Sequence, residues 1–278
     1  MSGDGGPRPK SDLRLRVLSA LVLVPVALGL AFVGGLPFTL LVALVCGLIM
    51  IEWLAVTGSS YSRYGGRALA VLVALVVAGA AVDPLSALGI LVLGCGMTLS
   101  AATVRGEMVW SAGGLVYAAL PGWSIALLRG TGDDGFLAIA LLFLTIWATD
   151  SGAYFVGRTL GGPKLAPRIS PKKTWSGAIG GTFVAVVAAY VFARVAGLPS
   201  AGAVAGVALV LSVVSQGGDL FESFVKRRFG VKDSGHIIPG HGGVMDRLDS
   251  LVTAGVAAAA IGWYRGGFAD MAGGLLRW

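Results

Sequence analysis

The chain has 278 residues, of which 13% are charged and 56% hydrophobic, with a formal net charge of +7 and a mean hydropathy of +0.84. Those values exclude an ordinary water-soluble globular domain and point to a polytopic membrane protein. The cations do not imply nucleic acid, because they cluster at the ends of apolar stretches, where anionic lipid holds a negative surface potential.

Residues 1–12, with Gly5, Gly6, Pro7 and Pro9, read as a disordered polar tail, and 13–278 as one domain. Apolar stretches of spanning length then recur almost end to end, at about 17–33, 36–56, 68–82, 86–104, 112–128, 136–156, 177–196, 202–221 and 251–268. The expected fold is an all-α bundle of about nine transmembrane helices. The stretch 68–82 is short for a hydrocarbon core of about 30 Å, and Pro121 makes 112–128 a candidate for a kink or a re-entrant segment. Arg8, Lys10, Arg14 and Arg16 ahead of the first run also suit a secretory signal peptide. A retained anchor is preferred, since the run has no clear small-residue cleavage site and a second apolar run starts at Leu36.

Cytoplasmic loops carry the excess of Lys and Arg. With the N-terminus inside, seventeen cations fall on the inner side and only Arg129, Arg194, Arg265 and Arg277 outside. The two richest loops, 157–176 and 222–250, then share the cytosolic face. Use of Ala, Gly, Val and Arg suggests a bacterial inner membrane.

Cys46 and Cys95 lie inside predicted spans and read as small buried hydrophobes. Trp53, Trp110, Trp175 and Trp263 stand near span ends, as interfacial anchors do. Small-xxx-small pairs such as Gly177 with Gly181 and Gly202 with Gly206 predict close helix packing within one bundle, a homodimer face being the alternative.

Four acids lie in or at the ends of predicted spans: Glu52, Asp150, Asp219 and Glu222. A carboxylate at mid-membrane costs at least about 2.5 kcal/mol, so such residues usually face a cavity. All four fall near the inner ends of their spans, which favours a polar pocket open to the cytosol over a relay across the bilayer, and so disfavours a secondary transporter. Asp219 and Glu222 share a helix face continued by Ser223 and Lys226, and Asp246 and Asp249 repeat the three-residue spacing at the entrance to the last span. Hard oxygen ligands of this kind suit Mg2+ or Mn2+ together with substrate phosphates. Helix-end ion pairing with Lys226 or Arg247 is the competing reading.

Asp150 and Tyr154 precede Gly157-Arg158 and a loop running through Gly161, Gly162 and Lys164 to Ser170-Pro171-Lys172-Lys173-Thr174. Its glycines, lysines and threonine can cradle an anion, although the order is not that of a Walker A loop. A simple positive-inside flank accounts for it equally well. The partners of a zinc site are missing, and His241, set between Gly240 and Gly242, suits donation to a phosphate oxygen. His236 is left without a role.

The stretch from Ser223 to Asp249 reads SxxKRxxxxKDxGxxxPGHGGxxDRxD, carried by Ser223, Lys226, Arg227, Lys232, Asp233, Gly235, Pro239, Gly240, His241, Gly242, Gly243, Asp246, Arg247 and Asp249. It closely resembles the signature of the phosphatidate cytidylyltransferases, or CDP-diglyceride synthases. Asp150, Ala153, Tyr154, Gly157 and Arg158, then Ser170 to Thr174 with Gly177, and Gly218-Asp219-Leu220 with Glu222-Ser223 look like the same family. The resemblance covers roughly the C-terminal half. Ser176 departs from it, standing where the family is commonly acidic.

The resemblance implies that CTP and phosphatidic acid give CDP-diacylglycerol and pyrophosphate, with Mg2+ or Mn2+ and a possible second cation as cofactors. A CTP-dependent polyprenol kinase or another lipid nucleotidyltransferase would need similar groups. On this reading Asp219 and Asp246, helped by Glu222 and Asp249, hold the metal. Lys226 and Arg247 join Asp219 and Asp246 as catalytic groups. Arg158, Lys172, Lys173, Thr174, Arg227, His241, Gly242 and Gly243 bind phosphate, and Asp150, Tyr154, Ser223, Lys232 and Asp233 complete the surroundings.

Overall fold

The computed structural model describes residues 11–59, 63–101, 105–238 and 242–278. Ten helices and one hairpin follow in chain order: α1 (Ser11–Val33), α2 (Gly35–Val56), α3 (Arg63–Ala80), α4 (Pro84–Ala101), α5 (Arg105–Arg129), α6 (Asp133–Leu160), β1 (Lys164–Ala166), β2 (Ser170–Thr174), α7 (Trp175–Val195), α8 (Ala201–Arg228), α9 (Met245–Gly266) and α10 (Met271–Leu276). Among the described residues a helix runs through most of each apolar stretch. Among the same described residues five, namely α2, Val109–Arg129 within α5, α6, α7 and α8, are long and apolar enough to cross a membrane. The protein is therefore a membrane-embedded helical bundle. Helices suit that setting because they satisfy their own backbone groups where no water is available.

Pro121 lies inside an unbroken α5, so this segment is not re-entrant. The loop after α6 is more ordered than its composition suggests. Strands β1 and β2 pair antiparallel, with Lys164 opposite Thr174 and Ala166 opposite Ser170. Gly161 ends α6 at φ 62°, a conformation open to glycine at little cost. The Thr174 side chain then caps α7 by accepting from the Gly177 N–H at 3.1 Å.

Two cores hold the bundle. One joins α2, α3 and α5 through Ile49, Met50, Trp53, Val73, Val77, Leu115 and Ala118, and also takes in Val225, Val244 and Met245. The other joins α6, α8, α9 and α10 through Ile139, Leu142, Val204, Leu211, Ala258 and Leu275. Large apolar side chains such as Val92, Met97, Ile179 and Phe183 point outward, as expected of a lipid-facing surface.

Without water to drive helices together, close packing holds them. A Cβ at Gly181 would lie 2.5 Å from the Thr149 carbonyl, and one at Gly177 would lie 2.8 Å from that of Ala153, so these two glycines seat α7 against α6. Gly202 and Gly206 meet nothing within 4 Å. Cys46 is buried as expected, Cys95 is only partly buried, and both are free thiols. Trp175 and Trp263 are half exposed, as interfacial rings are, but Trp53 is fully buried. Its Nε1–H donates to the Trp110 carbonyl at 2.7 Å, and its ring packs tilted against Tyr117 with centroids 4.7 Å apart, so it belongs to the core and not to a belt.

Candidate active site

The end of α8, the start of α9, the β1–β2 hairpin and the last turns of α2 and α6 meet at one end of the bundle. Close approach of α8 to α9 depends on Gly218, where a Cβ would lie 2.7 Å from the Asp249 carbonyl. Two charged groups result.

The first is buried. Lys226 Nζ bonds Glu222 Oε2 and Asp246 Oδ1, each at 2.7 Å. Asp246 Oδ2 also accepts from the backbone N–H groups of Ser234 (2.9 Å) and Gly243 (3.0 Å). Burial raises the Asp246 carboxyl, but the Lys226 ammonium and these two N–H groups outweigh it and hold it below the ordinary carboxylate value. Gly242, at φ 88°, brings the chain round beside this carboxylate and pairs with Ile238.

The second group is open. Lys173 of β2 forms an ion pair with Asp219 Oδ2, both side chains being about a quarter exposed. Ser223 donates to the other Asp219 oxygen over a long 3.5 Å. Asp249 stands in the field of Asp219, Asp150 and Lys173, so α6, the hairpin, α8 and α9 all contribute charge here.

The acids therefore do not gather into the single cluster that their spacing suggests, and among the described residues no three His, Cys, Asp or Glu side chains converge as a ready-made metal cage. The donors still fit a divalent cation of the Mg2+ kind, which takes only one or two protein carboxylates beside substrate oxygens. Among the described residues Glu222 Oε1, which is buried, finds no hydrogen-bond partner, and neither does the Tyr117 hydroxyl. Tyr117 lies in the field of Glu222, Asp249, Asp219 and Asp246.

The remaining predicted residues are placed as follows. Lys172, Arg227, Lys232, Asp233 and Arg247 are exposed around the site. Arg158 is exposed, donates to the Tyr154 hydroxyl at 2.8 Å and covers its ring. Thr174 is buried, its hydroxyl engaged in capping α7 and in contact with Ser176 at 3.1 Å. Ser176 in turn donates to the Gly161 carbonyl, so this departure from the family pattern braces the hairpin. Pro239, Gly240 and His241 lie outside the described residues.

Sequence reasoning missed Tyr117 and Ser234 altogether. It noticed Glu52 as an acid in an apolar span, yet gave it no site role. Tyr117 left no local signal, being one aromatic among many in an apolar run.

The chain matches the cytidylyltransferase family over residues 14–264. It belongs to that family. Among curated relatives, the phosphatidate cytidylyltransferase of Brucella suis is 46% identical over 251 residues, covering 88% of this chain and 91% of the relative. The enzyme of that name in Pseudomonas aeruginosa is 37% identical, covering 91% and 98%. The one in Bacillus subtilis is 35% identical, covering 87% and 94%. As a cytidylyltransferase, the protein is a nucleotidyltransferase, and the match runs through the helices of the N-terminal half, well beyond the segments that carry the sequence signature.

Proposed function

We propose that this protein is the phosphatidate cytidylyltransferase of its cell, joining CTP and phosphatidic acid into CDP-diacylglycerol with release of pyrophosphate. The observation that carries the reading is a lysine–carboxylate site at one polar end of a membrane-embedded bundle, where a lipid phosphate and a water-soluble nucleotide can meet. The positive-inside distribution of cations supports a site facing the cytosol of a bacterial inner membrane.

The phosphate monoester of the lipid is ionised near neutral pH, so an oxygen can attack the α-phosphorus of CTP without a strong general base. A P–O bond forms to the lipid phosphate, the bond from the α-phosphorus to the β-phosphate bridge breaks, and pyrophosphate leaves with that electron pair. Alignment and charge neutralisation then carry the catalysis. Lys173 of the open group, with the exposed Lys172, Arg227 and Arg247, would bind the phosphates. Lys226 fixes the positions of Glu222 and Asp246. A divalent cation, Mg2+ or Mn2+, held by one or two of the carboxylates of Asp219, Glu222, Asp246 and Asp249, would supply the remaining neutralisation. Asp219 and Glu222 suit that task, since each keeps an oxygen that lacks a close donor among the described residues.

Purified protein with phosphatidic acid, Mg2+ and CTP labelled in both cytosine and the α-phosphate provides the test. The expected product is a lipid carrying the whole CMP unit. Transfer of the γ-phosphate alone would replace this reading by a lipid kinase.

A further inference from the structure

Glu52 lies near the end of α2, in the half of the chain that carries no signature residue, and only 3% of it is exposed. Its Oε1 accepts from the Val244 N–H at 2.9 Å. Its Oε2 accepts from the Met245 N–H at 2.7 Å and from the Ser234 hydroxyl at 3.1 Å. The first N–H groups of a helix have no partner within it, and Val244, the cap of α9, offers no side-chain acceptor. Glu52 therefore caps α9 from another helix.

The loop is shaped to this carboxylate. A Cβ at Gly235 would lie 2.7 Å from Glu52 Oε1, and one at Gly243 would lie 2.8 Å from Oε2 while striking the Ser234 hydroxyl. Ser234 and Gly243 are the two residues whose backbone N–H groups bind Asp246 Oδ2. Trp53, locked between Trp110 and Tyr117, prevents the end of α2 from drifting.

We propose that Glu52 is a positioning residue for the transfer reaction, acting through Ser234, Gly243, Val244 and Met245 to aim Asp246 at Lys226. Both oxygens are required as acceptors, so a carboxylate is specified and an amide does not suffice. In Glu52→Gln the amide nitrogen has no lone pair for an N–H, and one of the two helix-start donors stays unpaired. Because Glu52 is buried with both oxygens bonded to the chain itself, its loss acts on the alignment reached in the transition state more than on CTP capture.

This inference rests on the proposed transfer reaction, so wild-type protein is assayed alongside. A wild-type protein that makes no CDP-diacylglycerol refutes that reaction, whatever Glu52 does. In Glu52→Gln, kcat is expected to fall about ten- to a hundredfold, with KM for CTP within about twofold, as loss of charge-assisted alignment predicts. Amide hydrogen exchange, read without turnover, should rise at Val244 and Met245 and across 234–238. Wild-type kcat in Glu52→Gln, or a loss of kcat with unchanged exchange in this segment, would overturn the proposal. Should Glu52→Gln fail to fold, Ser234→Ala decides, since it removes one of the three bonds and spares the Ser234 N–H that binds Asp246. A smaller fall in kcat with the same exchange pattern supports the proposal, and wild-type kcat and exchange reject it.

Discussion

The two lysine–carboxylate groups at the active end use the same chemistry in opposite settings. Lys226 is 12% exposed and its partners Glu222 and Asp246 are 1% and 9% exposed, whereas Lys173 and Asp219 are 28% and 26% exposed. In the buried group Lys226 bonds both carboxylates, and Asp246 takes two further backbone N–H groups from the loop. In the open group one ion pair holds Lys173 across from β2, and water reaches it. Buried charges are held in place because leaving one unpaired is costly, while a solvated pair exchanges partners readily. The buried group is thus suited to be the frame, and in the proposed reaction the open group is where a phosphate or a cation would displace Lys173 from Asp219.

The sharpest way to break this comparison is Lys226→Met. It would leave Glu222 and Asp246 buried without their cation, and unfolding measured in detergent should show a loss of about 3–5 kcal/mol. A loss below about 1 kcal/mol would mean that the group is not a frame. Asp219→Asn should do the reverse. Stability should change by no more than about 1 kcal/mol, while turnover at saturating CTP and Mg2+ drops on the order of a hundred- to a thousandfold, as for removal of one transition-state stabilising group. Turnover near that of the wild type would remove Asp219 from the chemistry. The smallest effect is expected from Thr174→Ala, which deletes the cap of α7 behind Lys173 and should cost about 1 kcal/mol of stability. A change in thermal midpoint too small to measure would show that the hairpin is held by its pairing alone.

Much of this was legible in the residues. Glycine spacing predicted close helix packing, which Gly177 and Gly181 make against α6 and Gly202 and Gly206 do not, and the three-residue spacing of Asp219 with Glu222 put both on one face of α8. The same reasoning misplaced Trp53, because a ring near a span end looks alike whether it faces lipid or the core, and only the neighbours of α2 decide. It also could not see the hairpin, since Ser170 to Thr174 carries the lysines of a membrane flank and the proline of a loop, and pairing is a property of two segments.

The sequence alone determined the membrane class, the helical elements, the segments that bring charge to one end and the family that they resemble, because each is written in composition or in spacing over a few turns. The tertiary structure alone decided how the carboxylates divide between Lys226 and Lys173, and that Glu52 caps α9. Those bonds join residues 46 positions apart for Lys173 with Asp219, and 192 or 193 for Glu52 with the start of α9. No local periodicity encodes such partners. They are set by which helices pack together, and by the requirement that buried N–H groups and charges find partners where water is excluded.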